Sequence, residues 1–316
     1  MISYAQNHED VLLDRAFGGK ATGFYVDVGA NDPVILSVTK HFSRLGWRGI
    51  NVEPGTAPYR RLCADRPRDV NLNVGIADSA GELDLFECPD NDALSTFSAG
   101  QADEHRLAGH EIVQRTVPVR TLDAICREHV HGTIDFLTID VEGFEQQVLA
   151  GANLATWQPR IVVVEATRPS TTEQTHDSWE SILLEAGYQL ACFDGLNRYY
   201  VRQGEPELLE RLSVPVNITD RFQSYEDQRL REQLDTKEQA LLRMTAECRQ
   251  LGEQNQGKEA AIFEKEAAIR DKEAAIHRQD AALKRQSEAQ TQLASDLRSV
   301  QQQLRDKDAD LARAWD

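Results

Sequence analysis

The sequence predicts an α/β fold, a mostly parallel sheet with helices on both faces and an antiparallel last strand, followed by a long α-helical coiled coil. Three observations predict it. Through about residue 203, short apolar strand-like runs alternate with helix-like runs. The last two strand-like runs flank "DGLN", which is hairpin spacing. From Glu226 onward proline disappears and a seven-residue apolar repeat takes over. The domain boundary is therefore expected near residue 225, giving a domain over 1–225 and a rod over 226–316.

The elements follow in order. "GFYVDVGA" reads as a strand and "ILSVTKHFSRLG" as a helix closed by Gly46. "RGINVEP" is a strand, "APYRRLCADRP" a helix, "VNLNVGIAD" a strand and "GELDLFEC" another. Residues 89–116 are polar and weakly patterned, the mark of an insertion or a lid over a site. "TLDAICREH" is a short helix capped by Thr121. "IDFLTIDVEG", "RIVVVEAT" and the closing hairpin strands alternate with the helices "FEQQVLAGA" and "SWESILLEAG". The hairpin's second strand ends the sheet antiparallel.

Charge narrows the function. The net charge is −17, and residues 226–316 carry only −3 of it, from 16 Lys+Arg against 19 Asp+Glu. The N-terminal part holds −14 and no Lys/Arg cluster, so nucleic acid is excluded as a partner, while a sugar or a cationic small molecule suits it. The five cysteines, 63, 88, 126, 192 and 248, show no CxxC spacing and read as reduced thiols of a cytoplasmic protein. The N-terminus lacks a signal-peptide pattern, and no stretch reaches membrane-spanning length.

In open α/β sheets ligands sit beyond the carboxyl ends of the strands. Those ends carry Asp27, Gly29, Ala30 and Asn31, then Glu53 and Pro54, then Gly75, Ile76, Ala77 and Asp78, then Asp140 and Glu142, and lastly Glu165. Gly29 has no Cβ and allows close approach to its backbone. Glu53, ending the second strand, can accept two hydrogen bonds from ribose hydroxyls. A dinucleotide site would show GxGxxG, but Gly29 to Val34 reads "GANDPV", with Asp32 where a phosphate would be repelled. A nucleoside carrying a positive centre fits better, and S-adenosylmethionine is such a ligand.

The stretches "YAQNHEDVLLDRAF", "GFYVDVGANDP", "GWRGINVEP", "NVGIADSAGELDLFE" and "IDFLTIDVEGFEQQVLAGA" resemble the FkbM-type family of S-adenosylmethionine-dependent methyltransferases across residues 1–203. The resemblance implies a class I methyltransferase, Rossmann-like fold and O-methylation of sugar or polyketide hydroxyls. It further implies that Asp27, Gly29 and Asn31 line the methionine end of the cofactor, with Ala30 and Pro54 beside them. Glu53 would hold the ribose, Ile76 and Ala77 would lie near adenine, and Gln6 and Glu9 would fold over the cofactor mouth. Asp140 and Glu142 mark the reacting end.

Asp140 and Glu142 straddle Val141, so in extended backbone they would face one side. A neutral sugar hydroxyl needs a general base or a metal to become nucleophilic. Asp140, Glu142 and Glu165 permit either, and their oxygens suit Mg²⁺ or Mn²⁺; a metal would rest on Asp140 and Glu165. Alternatively they bind the cofactor's ammonium. His41 is the further catalytic candidate, against a plainer reading as a helix residue packed on the sheet.

From Leu230 one heptad frame runs to Leu311, with Leu234, Leu241, Cys248, Asn255, Ile262 and Ile269 among its a positions and Leu230, Met244 and Leu251 among its d positions. At 1.5 Å per residue it would extend about 120 Å. Its centre, "KEAAIFE KEAAIRD KEAAIHR QDAALKR", is an internal repeat with Lys at d, and Asn255 at a is a dimer signal. A parallel homo-dimer is favoured and a trimer left open. The pattern's run to the last residues is also what a fragment of a longer protein would show.

The architecture resembles bacterial polysaccharide chain-terminating enzymes, where a methyl cap on O-antigen stops growth and a coiled coil spaces the capping domain from a glycosyltransferase or polymerase at the inner face of the membrane. Two competing functions are a coiled-coil scaffold with a catalytically weak domain and a nicotinamide oxidoreductase; the absent GxGxxG weighs against the latter.

Overall fold

The computed structural model describes residues 1–168, 171–263, 283–295 and 297–299. It divides into two units, Met1–Gln233 and Leu234–Asp316. The strands of the first are β1 (Ile2–Ser3), β2 (Phe24–Val28), β3 (Arg48–Val52), β4 (Val70–Leu72), β5 (Gly75–Ile76), β6 (Gly81–Glu87), β7 (Val113–Arg120), β8 (Phe136–Ile139), β9 (Ile161–Glu165), β10 (Tyr188–Phe193), β11 (Asn197–Arg202) and β12 (Gln223–Ser224). Its helices are α1 (Glu9–Phe17), α2 (Lys40–Leu45), α3 (Thr56–Asp65), α4 (Ala99–Leu107), α5 (Leu122–His129), α6 (Glu145–Ala150), α7 (Leu154–Trp157), α8 (Glu180–Glu185) and α9 (Pro206–Leu212), and α10 (Tyr225–Phe263) leads out of it.

Seven strands form the main sheet in the order β10-β11-β9-β8-β2-β3-β4. Pairings from β9 to β4 are parallel, while β11 is antiparallel to both of its neighbours. The hairpin is thus as expected, but its antiparallel strand sits inside the sheet and β10 forms the edge. The central strands are buried on both faces, which explains their unbroken apolar runs. Period two still assigns each residue to a side. Val26, Val162 and Val164 enter one core with Ile125 and Trp179; Tyr25, Ile161 and Val163 enter the other with Trp47 and the α1 residues Leu12, Leu13 and Phe17.

Two expected elements change. "VNLNVGIAD" is two strands. Asn73 donates to the carbonyls of Glu53 and Pro54, at 2.9 and 2.8 Å, and turns the chain out of the main sheet. β5 then opens a second sheet, β5-β7-β6. Within residues 89–116 lie α4 and the start of β7. β7 escapes sequence patterning because only Val117 and Val119 of its eight residues are buried. The helix expected from Ile35 starts only at Lys40. Before it, Asp32 Oδ1 accepts from the amides of Val34 and Ile35, a local turn that competes with helix.

Arg66 holds that turn in place. Its side chain is fully buried and donates to the carbonyl of Pro33, to Ser37 and Thr39 hydroxyls and to Tyr25 Oη, and it pairs with Asp65 at 3.0 Å. In the second unit α10 presents Leu234, Leu241, Met244 and Leu251 partly exposed, and a helical stretch resumes at Leu283. Residues 264–282 of the repeat and the heptads from 300 lie outside the described residues. Among the described residues no helix is long and apolar enough to cross a membrane.

Replacing Arg66 with Ala strands several buried acceptors at once. The expected cost is roughly 3–5 kcal/mol, read as a lower midpoint in urea unfolding.

Candidate functional site

A cleft opens at the carboxyl ends of β2, β3 and β8. Its lining includes Gln6, Asp27, Gly29, Ala30, Asn31, Glu53, Pro54, Ile76, Asp140 and Glu142. Four named candidates are not in that lining: Glu165 lines an adjoining cavity, and three lie elsewhere. His41 is not among the lining residues; its Nε2 meets Asp14 Oδ1 at 3.2 Å and its ring packs edge-on to Phe42, so it ties α2 to α1. Glu9 is buried beneath the N-terminal segment, accepting from Asn197 Nδ2 at 2.7 Å and from the Asn7 amide at 2.8 Å. Ala77 is buried with its amide on the Arg120 carbonyl.

The cleft begins at Gly29, whose φ is +85°. A Cβ there would stand 1.7 Å from the carbonyl oxygen of Asp140. The glycine is therefore required by the crossing of two strand ends, as well as leaving the cleft floor open. Asp27 beneath it accepts from Thr39 Oγ1 at 2.8 Å, and burial lifts its carboxyl to about 6. Glu53 Oε2 accepts from the Asn31 amide and Oε1 from the Gly55 amide, at 2.9 and 2.6 Å. Those bonds shape the loop, while each oxygen keeps a second lone pair for a ligand hydroxyl. Burial lifts Glu53 to about 7 against the pull of both amides.

Residues 92–97 form a wall that sequence reasoning left unassigned: Asp92, Ser95 and Phe97 line the cleft opposite Asn31, with Val74 and Ile76 as apolar neighbours. Arg61 of α3 links the loop after Asn31 to this wall, meeting Asp32 at 3.0 Å and Asp92 at 2.7 Å. Thr96 Oγ1 donates to the Glu142 carbonyl at 2.7 Å, and Gln101 packs over Gly143, where a Cβ would be 2.3 Å from its Nε2. The wall thus bears on the turn that carries Glu142. The only sequence signal for it was the polar, loosely patterned stretch itself.

Glu142 sits in that turn at φ +50°, a conformation uncommon for a residue with a side chain. Extended backbone is thus not what joins it to Asp140; the turn is. Carboxylate oxygens of Asp140, Glu142 and Glu165 all lie within 4.8 Å of one another. Burial, and then the neighbouring negative charges of Asp140, Glu142 and Glu145, push Glu165 up to about 12. Burial and Asp140 take Glu142 to about 9. Burial raises Asp140 too, and a hydrogen bond with Glu165 pulls it back down. At neutral pH the trio therefore retains protons, and a nearby positive charge would release them.

A second cavity adjoins the first and shares Gln6, Leu36, Ala93 and Glu142 with it. Glu165 and Thr167 line its inner side; the Thr167 hydroxyl is buried without a hydrogen-bond partner among the described residues.

The residues fit S-adenosylmethionine. The buried Oδ1 of Asn31 has no partner among the described residues and can accept from an ammonium or a hydroxyl. Glu53 offers acceptors for ribose, Val74, Ile76 and Phe97 offer an apolar face for a flat base, and the acid trio favours a cationic centre. The all-oxygen trio, with Glu142 Oε2 unpartnered among the described residues, equally fits Mg²⁺ or Mn²⁺.

The family model described as the methyltransferase FkbM domain matches residues 27–190. A methyltransferase FkbM from Methylobacillus flagellatus is similar in structure, at 16% identity and TM-score 0.37, over 57% of this chain and 44% of that one. A TehB-like SAM-dependent methyltransferase from Corynebacterium glutamicum follows, at 10% identity and TM-score 0.36, over 62% of this chain and 88% of that one. A magnesium protoporphyrin IX methyltransferase from Synechocystis, solved with bound SAM, shows 13% identity and TM-score 0.31, over 62% and 77%. The chain thus spans less than half the length of the first of these structures. No curated protein matches it.

The buried acids give a pH dependence. Asp27, Glu53, Glu9 and Glu142 are raised to about 6, 7, 8 and 9. The fold therefore holds protons that the unfolded chain releases once pH passes the ordinary carboxyl range. Their stabilisation is complete below that range and is lost as pH rises through the folded values. Thermal midpoints of the unliganded protein should fall between about pH 5 and pH 9, and Glu9→Gln, remote from the cleft, should flatten that fall.

Proposed function

Since the chain belongs to the methyltransferase FkbM family, we propose that this S-adenosylmethionine-dependent methyltransferase acts on a hydroxyl of a bacterial polysaccharide sugar. The observation that carries the reading is the acid trio placed where the two cavities meet. One cavity suits the donor, and the other, wider and presenting Asn91, Thr167, Thr171 and Thr172, suits a saccharide. S-adenosylmethionine supplies, when bound, a methyl carbon activated by its sulfonium. The protein's own residues do the rest. Glu53 and Asn31 hold the donor, and Asp27 and Gly29 keep the β2 tip shaped around it. Glu142, on the shared wall, accepts the acceptor hydroxyl's proton and becomes neutral as the hydroxyl oxygen takes the methyl, while Asp140 and Glu165 stay paired through their shared hydrogen bond and hold Glu142's surroundings in place. Cationic charge in the first cavity lowers the trio's hold on its protons, so the base becomes available only with the donor in place. Asp140 and Glu165, with Glu142, would hold a divalent ion if the reaction uses one, and it would lower the hydroxyl's pKa.

The rod is read as a homo-dimer contact. Leu234, Leu241, Met244 and Leu251 are partly exposed at a and d positions of one heptad frame, so a second copy of α10 is the partner that buries them. A terminal cap on O-antigen, spaced from a polymerase, is the use that such a rod suggests.

The test incubates the full chain with isotopically labelled donor and bacterial polysaccharides. Mass spectrometry should find one added methyl on a sugar oxygen. Glu142→Gln should retain donor binding by calorimetry and lose roughly 10²–10⁴-fold in turnover. Donor binding without transfer to any saccharide would dismiss the acceptor assignment, and absence of donor binding would dismiss the site. Sedimentation equilibrium should return twice the chain mass; a monomer would remove the dimer reading.

A further inference from the structure

A second cluster lies outside the cleft, at the two ends of the excursion that makes its wall. Cys88 follows β6 with its side chain fully buried. Its Sγ lies 3.2 Å from Asp90 Oδ1, and Asp90 Oδ2 lies 2.8 Å from His110 Nδ1, beyond α4. The three donor atoms are all within 4.8 Å of one another. Tetrahedral coordination at Zn–S and Zn–N lengths would set them about 3.5 Å apart, so a small inward shift suffices. A hydrogen-bond bridge through Asp90 would account for these three residues alone. It does not account for His105. That side chain, on α4, is 7% exposed, its ring lies 6.3 Å from that of His110, and its Nδ1 has no hydrogen-bond partner among the described residues.

We propose that Cys88, Asp90 and His110, completed by His105, bind a zinc-class divalent metal ion that fastens the two ends of the 88–110 excursion together. One sulfur, two imidazoles and one carboxylate form a donor set for Zn²⁺ or Co²⁺ and a poor one for Mg²⁺ or Ca²⁺. The spacing agrees: four residues separate His105 from His110, within the interval zinc sites use for paired histidines. The cluster is distinct from Asp140, Glu142 and Glu165, whose oxygens favour harder ions. Its place defines its effect. Between its ligands lie Asp92, Ser95 and Phe97 of the cleft wall and Thr96 and Gln101, which bear on the Glu142 turn. The ion would shorten the free span of that wall and reduce the entropy it loses on ordering. Entry is from solvent on the Asp90 side, the exposed edge of the cluster.

Cobalt titration of the EDTA-dialysed full chain tests this. One equivalent of Co²⁺ should raise a sulfur-to-cobalt charge-transfer band, and Zn²⁺ should bleach it. Cys88→Ser should abolish the band, while serine at 63, 126, 192 or 248 leaves it. Asp90→Asn and His110→Gln, at partly accessible positions that need not disturb the core, should each weaken binding roughly 10–100-fold. Hydrogen exchange of segment 91–109 should slow on adding Zn²⁺ to the parent and slow less in Asp90→Asn at the same Zn²⁺ concentration. No cobalt band in the folded parent, or a band indifferent to Asp90→Asn and His110→Gln, overturns the proposal.

Discussion

The site depends on how closely two strand ends approach. β2 and β8 run side by side, and where they leave the sheet the Asp140 carbonyl occupies the space a side chain at residue 29 would need. That approach sets the floor of the donor cleft against the root of the acid trio. It brings Asp140 to the mouth and starts the turn that aims Glu142. The rest of the domain supports this crossing: Arg66 anchors the loop on one side, and the 88–110 excursion presses on the turn from the other.

The electrostatics follow from the same approach. Three carboxyls within 4.8 Å, with Glu165 buried and Glu142 half-buried beside a more exposed Asp140, cannot all be charged at neutral pH. The pressure to hold protons is large in the unliganded molecule and relieved by positive charge, the property that a methyl donor of the sulfonium type brings. Neighbouring Glu145, raised to about 7 by burial, adds to the same pressure. The field that would favour a cation over a phosphate in the cleft is therefore collective, supplied by no one residue.

Much of this was legible in the sequence where chemistry and period coincide. Apolar runs ending in acids marked β2, β8 and β9, and reading only strand ends found most of the cleft floor. What was not legible lay where tertiary contacts override local pattern. The helix expected from Ile35 is replaced by a loop because Arg66, thirty residues on, claims Pro33 and Ser37. Glu9 looked like a cofactor lid residue, yet it is buried with Oε1 accepting from Asn197, distant in sequence and adjacent in space, and Oε2 from the Asn7 amide. His41 belongs to an α1–α2 contact that no spacing encodes. The cleft wall was foreseen only as a lid over 89–116, since its polar residues carry no period, and β7 at the end of that stretch has too few buried residues to show a period of two.

The small sheet β5-β7-β6 has one further consequence. It fixes the feet of the 88–110 excursion by a seven-pair ladder between β6 and β7, apart from the main sheet. Outside Thr96, Phe97 and Gln101, which reach the donor wall and the Glu142 turn, material between those feet can lengthen, shorten or change character without disturbing the main sheet that carries Gly29, Glu53 and Asp140. Related chains could thus diversify which acceptor they accept by exchanging a single modular flap, with the reactive centre inherited intact.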